Sequence, residues 1–300
     1  MSPPPSRAAS TGLLLALASA GLYGVNIGYA RLASFAGVSG STIVVYRVLL
    51  MLGLVAAAAL VLRRSLAVPA EERRTVALLG VATAFVGVCY LSSVAFIPVA
   101  VAVVVFYTFP VLIVLASPLV EGTRLTPALL GVVALALLGV GLVVGPAFES
   151  LDWRGIALAL GASVATATQF FAAARARRTD IVAKTFWIHA GVLPTALVIG
   201  LLAGNLAPPQ ALLLAPLAVA VTIGAYVVGF LLQFLALARI SAVAAGIVYC
   251  AEPVVAALSS TLILGEALSP IQLLGGALVI AAIVTNAVLD NRRAAMVATD

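Results

Sequence analysis

Charged residues are scarce in this 300-residue sequence: they make up 9% of it, whereas hydrophobic residues make up 64%. A soluble domain has about 25% charged residues and about half apolar ones. The composition therefore excludes an ordinary soluble globular protein. It predicts an all-α polytopic membrane protein, and no stretch is long or polar enough for a separate soluble domain.

Motifs of ATP-driven and catalytic proteins are also missing. There is no P-loop and no Gly-x-Ser-x-Gly turn, and the single histidine excludes a zinc-type His pair. The two cysteines, Cys89 and Cys250, lie in apolar segments and form neither a metal pattern nor a disulfide framework. The acids of the predicted cytoplasmic loops are scattered among arginines: Glu71, Glu72, Glu121 and Asp180. We therefore expect no enzyme, no cofactor, no metal site and no ATP-driven transport by this chain alone.

Ten apolar segments can be distinguished, each near the roughly 20 residues that a membrane-spanning helix needs. The first has features of a signal peptide, but its counterpart in the second half of the chain favours a membrane span. The ten segments are 12–33, 41–62, 75–97, 99–119, 127–145, 155–175, 184–203, 215–236, 242–263 and 269–289.

Basic residues cluster in alternate loops. The opposite loops hold only Arg154, with Arg31 near the end of span one. Cytoplasmic loops of membrane proteins carry the excess of Lys and Arg, so both termini are predicted to be cytoplasmic, and the net charge of +6 reflects topology, not nucleic-acid binding. The basic residues on the predicted cytoplasmic side are Arg7, Arg63, Arg64, Arg73, Arg74, Arg124, Arg175, Arg177, Arg178, Lys184, Arg239, Arg292 and Arg293.

The two halves of the chain resemble one another at a fixed offset of 143 residues. Five spans per half is an odd number, so the halves are predicted to be inverted repeats, 12–145 and 155–289, around a central cavity. Thr126-Pro127 and Ser269-Pro270 both predict helix starts, with a capping side chain before proline. The matched pairs include Gly12 with Gly155, Ile97 with Ile240, Pro110 with Pro253, and Pro127 with Pro270.

Polar side chains recur at helical spacing within four spans, and several aromatic residues with polar groups lie within spans. Polar groups in the bilayer must face a partner or water, so a substrate-binding cavity is predicted. Hydrogen bonding between helices is the alternative, and some of the aromatic residues could belong to the interface belt. The candidate substrate-binding residues are Tyr23, Asn26, Tyr46, Thr83, Tyr90, Tyr107, Thr166, Gln169, Trp187, Tyr226, Gln233 and Tyr249.

Glu252 precedes Pro253 inside the ninth span, and a carboxylate in an apolar span is costly unless it has a function. It lies ten residues into the span, about 15 Å at 1.5 Å per residue, which is near the bilayer centre. It is our candidate for proton coupling or for recognition of a substrate amine. The alternative is a neutral acid that ties the helix to a neighbour. Pro253 and its counterpart Pro110 should kink their helices and are candidate hinges.

Among the other ionisable residues within spans, Arg47 and His189 need an explanation. Arg47 lies two turns into span two and is expected to snorkel outward; otherwise it would bind a carboxylate at the outer mouth. His189 is expected to serve packing, with a proton switch as the alternative.

Glu252-Pro253, followed by Leu264-Gly265-Glu266 and by Gly275-Gly276, resembles the second-half signature of the drug/metabolite transporter superfamily, in its ten-helix branch with two EamA-type repeats. The resemblance implies a central cavity lined by spans one, three, four, six, eight and nine. It also implies movement of small metabolites, often outward from the bacterial cytoplasm. The chain is most similar to bacterial exporters of aromatic and other neutral amino acids, which also pass methyl viologen.

The sequence thus predicts a secondary transporter of the bacterial inner membrane that exports neutral amino acids by alternating access. Its partners would be a small-molecule substrate and the lipid bilayer, and protons remain open as a driving force beside the substrate gradient. Nucleosides, sugars or drugs are alternative substrates, and a non-transporting scaffold or sensor is the alternative function. A monomer and a homodimer are both open.

Overall fold

The computed structural model describes residues 7–145 and 152–297, and the regular structure within these ranges is entirely helical. Side chains are described over 9–145 and 152–290, so those of Arg7, Arg292 and Arg293 lie outside the described part. Short 3₁₀ turns occur at Ala70–Glu72 and Pro209–Leu214. The α-helices are α1 Arg7–Phe35, α2 Gly40–Val61, α3 Arg73–Ser93, α4 Val99–Phe106, α5 Phe109–Val120, α6 Pro127–Val144, α7 Trp153–Arg175, α8 Ile181–Leu202, α9 Pro216–Leu237, α10 Ala242–Tyr249, α11 Ala251–Leu264 and α12 Pro270–Val297.

Ten helical segments in the described ranges are long and apolar enough to cross a membrane. The fourth, Val99–Val120, consists of α4 and α5, and the ninth, Ala242–Leu264, consists of α10 and α11. The prediction of an all-α protein with ten membrane-spanning helices is therefore confirmed. An even number of crossings leaves the start of α1 and the end of α12 on one face of the bundle, called the terminal face below.

Local capping explains where several helices begin. The Thr126 side chain accepts a hydrogen bond from the Leu129 amide, and Pro127 occupies the first position of α6. Ser269 and Gln272 bond reciprocally at the start of α12, because each side chain accepts from the other residue's amide. Such reciprocal caps satisfy amides that the first helical turn leaves unpaired. Both helix starts predicted from a capping residue and proline are confirmed.

Helix contacts between the two halves occur in equivalent pairs, as expected if the halves are repeats. The most extensive contacts join α1 to α9 and α3 to α7, which are equivalent pairs at the 143-residue offset; α2 also packs on α8, and α6 on α12. A methyl group on Gly12 would lie 2.6 Å from Ile240, and one on the matched Gly155 would lie 2.8 Å from the matched Ile97. This reciprocity fits the prediction of inverted repeats.

Two spans are broken at equivalent positions. The fourth span is interrupted at Tyr107 and Thr108, and the ninth at Cys250. Pro110 lies two residues after the first break, and Pro253 lies three residues after the second. Because proline has no amide hydrogen, the carbonyl four residues before it lacks its helical hydrogen-bond donor. Discontinuous helices near the midplane are where many transporters bind substrate. The breaks therefore direct attention to the residues around Tyr107 and Tyr249.

Candidate substrate-binding site

Tyr249 is the last residue of α10, and its side chain is fixed against α1. Its hydroxyl donates to Ser19 Oγ at 2.5 Å, and Ser19 Oγ in turn donates to the Gly229 carbonyl oxygen of α9 at 2.6 Å. Tyr249 and Ser19 are buried. The chain of two hydrogen bonds joins three helices at the break of the ninth span, so the tyrosine ring there has a defined position.

Glu252 lies in the first turn of α11, just after the break. Protein atoms surround its carboxyl group, although the residue as a whole keeps some accessible surface. The Tyr107 hydroxyl, buried and otherwise without a hydrogen-bond partner, faces this carboxyl group. Three more tyrosines lie within electrostatic reach of it: Tyr23, Tyr90 and Tyr249.

Close packing between α1 and α11 sets the position of Glu252. A methyl group on Gly24 would lie 2.7 Å from the Glu252 carbonyl oxygen, and one on Gly28 would lie 2.9 Å from Ser259 Cβ. Glycines four residues apart form a flat strip on one helix face, which lets two backbones approach closely in a membrane. The glycines of α1 therefore hold α11, and with it the carboxyl group, close to Tyr23.

Tyr23 occupies the centre of the site. Its hydroxyl donates to Gln233 Oε1 at 2.9 Å. Its ring centroid lies 6.2 Å from that of Tyr226 and 6.1 Å from that of Tyr249. It thereby connects the broken ninth span with α9.

A chain of aromatic contacts extends the site into the first half. Neighbouring ring centroids are 5.2–5.5 Å apart from Tyr90 through Phe106, Phe109 and Phe170 to Tyr249. Together with Tyr23, Tyr107 and Tyr226, these rings come from the six spans that the resemblance assigns to the cavity. The phenylalanines were missed by the sequence analysis, because an apolar side chain in an apolar span gives no signal of its own.

Arg47 lies against one of these aromatic rings. The expectation that it snorkels outward was wrong. Its guanidinium carbon lies 4.0 Å from the centroid of the Tyr226 ring, and its Nε is buried without a hydrogen-bond partner. The stacking partner lies ten residues into α9, about 15 Å along it, which is near mid-membrane. His189, which is fully buried, contacts the Tyr226 hydroxyl from α8.

The two amides predicted to approach the cavity make hydrogen bonds between helices. Asn26 Nδ2 donates to the Thr222 carbonyl oxygen at 2.6 Å, and Gln169 Nε2 donates to Thr83 Oγ1 at 2.9 Å. Thr166 is buried and donates to the Ala162 carbonyl oxygen within its own helix. These contacts match the alternative of helix–helix bonding, and a role in lining the cavity stays a prediction for these residues.

Two other candidates lie away from the group formed by Tyr23, Tyr90, Tyr107, Tyr226 and Tyr249, called the tyrosine cluster here. The Tyr46 hydroxyl donates to the Ala207 carbonyl oxygen in the loop before α9. Trp187 is 50% exposed, and its indole donates to the Leu66 carbonyl oxygen. Trp187 lines a largely apolar groove of about 700 Å³ between α3 and α8, whose wall includes the exposed Val81 and Phe85. This groove is on the outside of the bundle and is separate from the tyrosine cluster.

Polar contacts join the halves at both faces. At the terminal face, the Glu72 carboxylate accepts from the Arg178 and Thr179 amides, and Glu121 accepts from the Ala242 amide. At the opposite face, Arg31 and Glu266 form an exposed ion pair of 2.7 Å. Within the described residues, no group of three or more His, Cys, Asp or Glu side chains is placed to hold a metal ion.

A ten-span bundle with two broken helices around a polar, aromatic-lined centre is the architecture of a membrane carrier. The profile of the EamA-like transporter family matches residues 10–145 and 153–288, so the chain belongs to the EamA-like transporter family. It is thus a multi-pass membrane protein of a family that transports small molecules.

Named relatives agree with this assignment. Over 217 residues the chain is 32% identical to the threonine/homoserine exporter RhtA of Escherichia coli strain K12, which covers 71% of this chain and 70% of the relative. RhtA of Escherichia coli O157:H7 matches to the same extent. A solved crystal structure of a protein, 22% identical, has the same fold, with a TM-score of 0.72 over 95% of this chain and 99% of that one.

Proposed function

We propose that this chain exports neutral amino acids across the bacterial inner membrane, with Glu252 binding the substrate ammonium group. The observation that carries the proposal is the carboxyl group of the partly exposed residue Glu252, which lies at the break of the ninth span with four tyrosines near it. A carboxylate and aromatic faces are the groups that recognise an organic ammonium ion in proteins. The similarity to a threonine/homoserine exporter supports amino acids as the substrate class.

The proposed mechanism is alternating access of the two halves around this site. The breaks before Pro110 and Pro253 supply candidate hinges, and the contacts at the two faces would open in turn. Both termini would be cytoplasmic. Aromatic amino acids and methyl viologen-like cations would be accommodated by the same rings, and nucleosides, sugars or drugs remain alternative cargo.

Counterflow into proteoliposomes tests the assignment of Glu252. Vesicles loaded with unlabelled amino acid should accumulate labelled threonine or phenylalanine, and Glu252→Gln should reduce the initial rate at least tenfold. Glu71→Gln is the matched control, because Glu71 is an exposed acid at the terminal face, outside the site. Wild-type rates in the Glu252→Gln protein would contradict the assignment.

The driving force is tested in the same vesicles. Transport is measured with and without an imposed pH gradient, in the wild type and in Glu252→Gln. If protons are coupled through Glu252, the gradient changes the wild-type rate and leaves the variant unaffected. If the wild-type rate is the same with and without the pH gradient, transport is facilitated export or exchange, and Glu252 is a binding residue only.

A further inference from the structure

Arg47 has no counter-ion in the described part of the chain. The ion pairs there join Arg31 to Glu266, Arg64 to Asp180 and Arg154 to Asp152. Arg47 lies seven residues after Gly40, about 10 Å into the bundle from the face opposite the termini. A cation within a membrane span is expensive and normally has a partner. Its buried Nε, which lacks an acceptor, indicates that the partner is not a protein group in this state.

The orientation of Arg47 is determined by neighbours on two other helices. His189 Nδ1 lies 2.9 Å from the Thr185 carbonyl oxygen, which can only accept, so Nδ1 carries the proton. In a neutral imidazole Nε2 is then an acceptor, so the Tyr226 hydroxyl donates to it at 3.0 Å. This bond fixes the Tyr226 ring over which the guanidinium lies. The cation is therefore held in place before any anion binds.

Arg47 and Glu252 belong to one site. Arg47 stacks on Tyr226, whose ring centroid lies 6.2 Å from that of Tyr23, and the Tyr23 hydroxyl also lies near the Glu252 carboxyl group. Arg47 lies about 10 Å from the face opposite the termini, and Glu252, ten residues after Ala242, lies about 15 Å from the terminal face. In a hydrocarbon core of about 30 Å, the two residues are therefore about 5 Å apart in depth. A guanidinium and a carboxyl group thus border the same tyrosine without pairing with each other.

We propose that Arg47 binds the carboxylate of the substrate, and that the site prefers molecules with both a carboxylate and an ammonium group over cations that lack the carboxylate. This inference rests on the proposed export of amino acids and adds the group that recognises their acid end. Guanidinium suits this role because it donates two parallel hydrogen bonds to one carboxylate and stacks on an aromatic ring at the same time. Tyr226 and His189 are positioning residues that act through Arg47.

Competition between threonine and threoninamide, which lacks the carboxylate, tests the proposal. Their dissociation constants are measured on purified protein by ligand-induced thermal stabilisation, which needs no transport, and their counterflow is measured in proteoliposomes. Wild type should prefer threonine at least tenfold. Arg47→Gln should abolish this preference while still binding threoninamide, and Arg47→Lys should restore part of it. Arg154→Gln, which removes an exposed cation outside the site, should keep the wild-type preference.

The outcomes separate the two proposals. Equal weakening of both ligands in Arg47→Gln, or an unchanged preference, would overturn the role of Arg47 while leaving amino-acid transport intact. Wild-type binding that prefers threonine, without any counterflow, would overturn export and leave the carboxylate site standing. Wild type that binds neither ligand would overturn both.

Discussion

Gly24 offers the sharpest test of how the site is built. A methyl group there would lie 2.7 Å from the Glu252 carbonyl oxygen and 2.9 Å from the Ala256 amide nitrogen. Both are backbone atoms, which no side-chain rotation can move away. Gly24→Ala therefore requires α11 to move by close to 1 Å to reach ordinary contact distance, and Glu252 would move with it.

The magnitude follows from two opposing effects. Overpacking of a tight interface costs roughly 1–3 kcal/mol, whereas replacing a helical glycine by alanine gains about 0.5–1 kcal/mol. A methyl group on Gly21, three residues earlier on α1, would meet no neighbouring side chain or helix within 4 Å. Gly21→Ala therefore shows only the gain from replacing a helical glycine. Gly24→Ala should thus be about 1–3 kcal/mol less stable than Gly21→Ala.

Thermal unfolding in detergent and counterflow kinetics measure the two consequences. Gly21→Ala should match or exceed wild-type stability and transport normally. Gly24→Ala should unfold several degrees lower and transport with a raised KM, because its carboxyl group is displaced. Equal stability and equal KM in the two variants would refute the claim that α1 positions Glu252.

Three further outcomes are expected. Tyr107→Phe should keep stability, since the hydroxyl has no hydrogen-bond partner apart from the nearby Glu252, but should slow counterflow severalfold; normal counterflow would show that this hydroxyl has no role. Asn26→Leu should lower stability by about 1–2 kcal/mol because a buried hydrogen bond is lost, and an unchanged unfolding temperature would contradict that. Gly12→Val and Gly155→Val should destabilise to a similar extent, because each would clash with a matched isoleucine; a large difference would weaken the repeat interpretation.

The fold was predictable because the membrane leaves few choices. Apolar runs of about 20 residues must be helices, and capping residues followed by proline marked the starts of α6 and α12. Pro110 and Pro253 predicted kinks in the fourth and ninth spans. Full interruptions of these helices could not be predicted, because the loss of one amide donor allows either a mild bend or a break.

The site was only partly predictable. A lone acid stands out in an apolar span, so Glu252 could be singled out, and Tyr249 lies nearby in sequence. For the other candidate residues, the direction of the side chain depends on how each helix is rotated about its axis, which is set by packing and cannot be read from the sequence. Packing places Arg47 against Tyr226 rather than towards the membrane surface, and it gives Asn26 a carbonyl partner on α9.

Counterflow by the wild-type protein tests the central claim most directly. Proteoliposomes preloaded with unlabelled threonine should transiently accumulate labelled threonine above equilibrium, and protein-free vesicles should not. The account would be contradicted if the folded, reconstituted protein exchanged no neutral amino acid from a panel of aliphatic, hydroxylated and aromatic members.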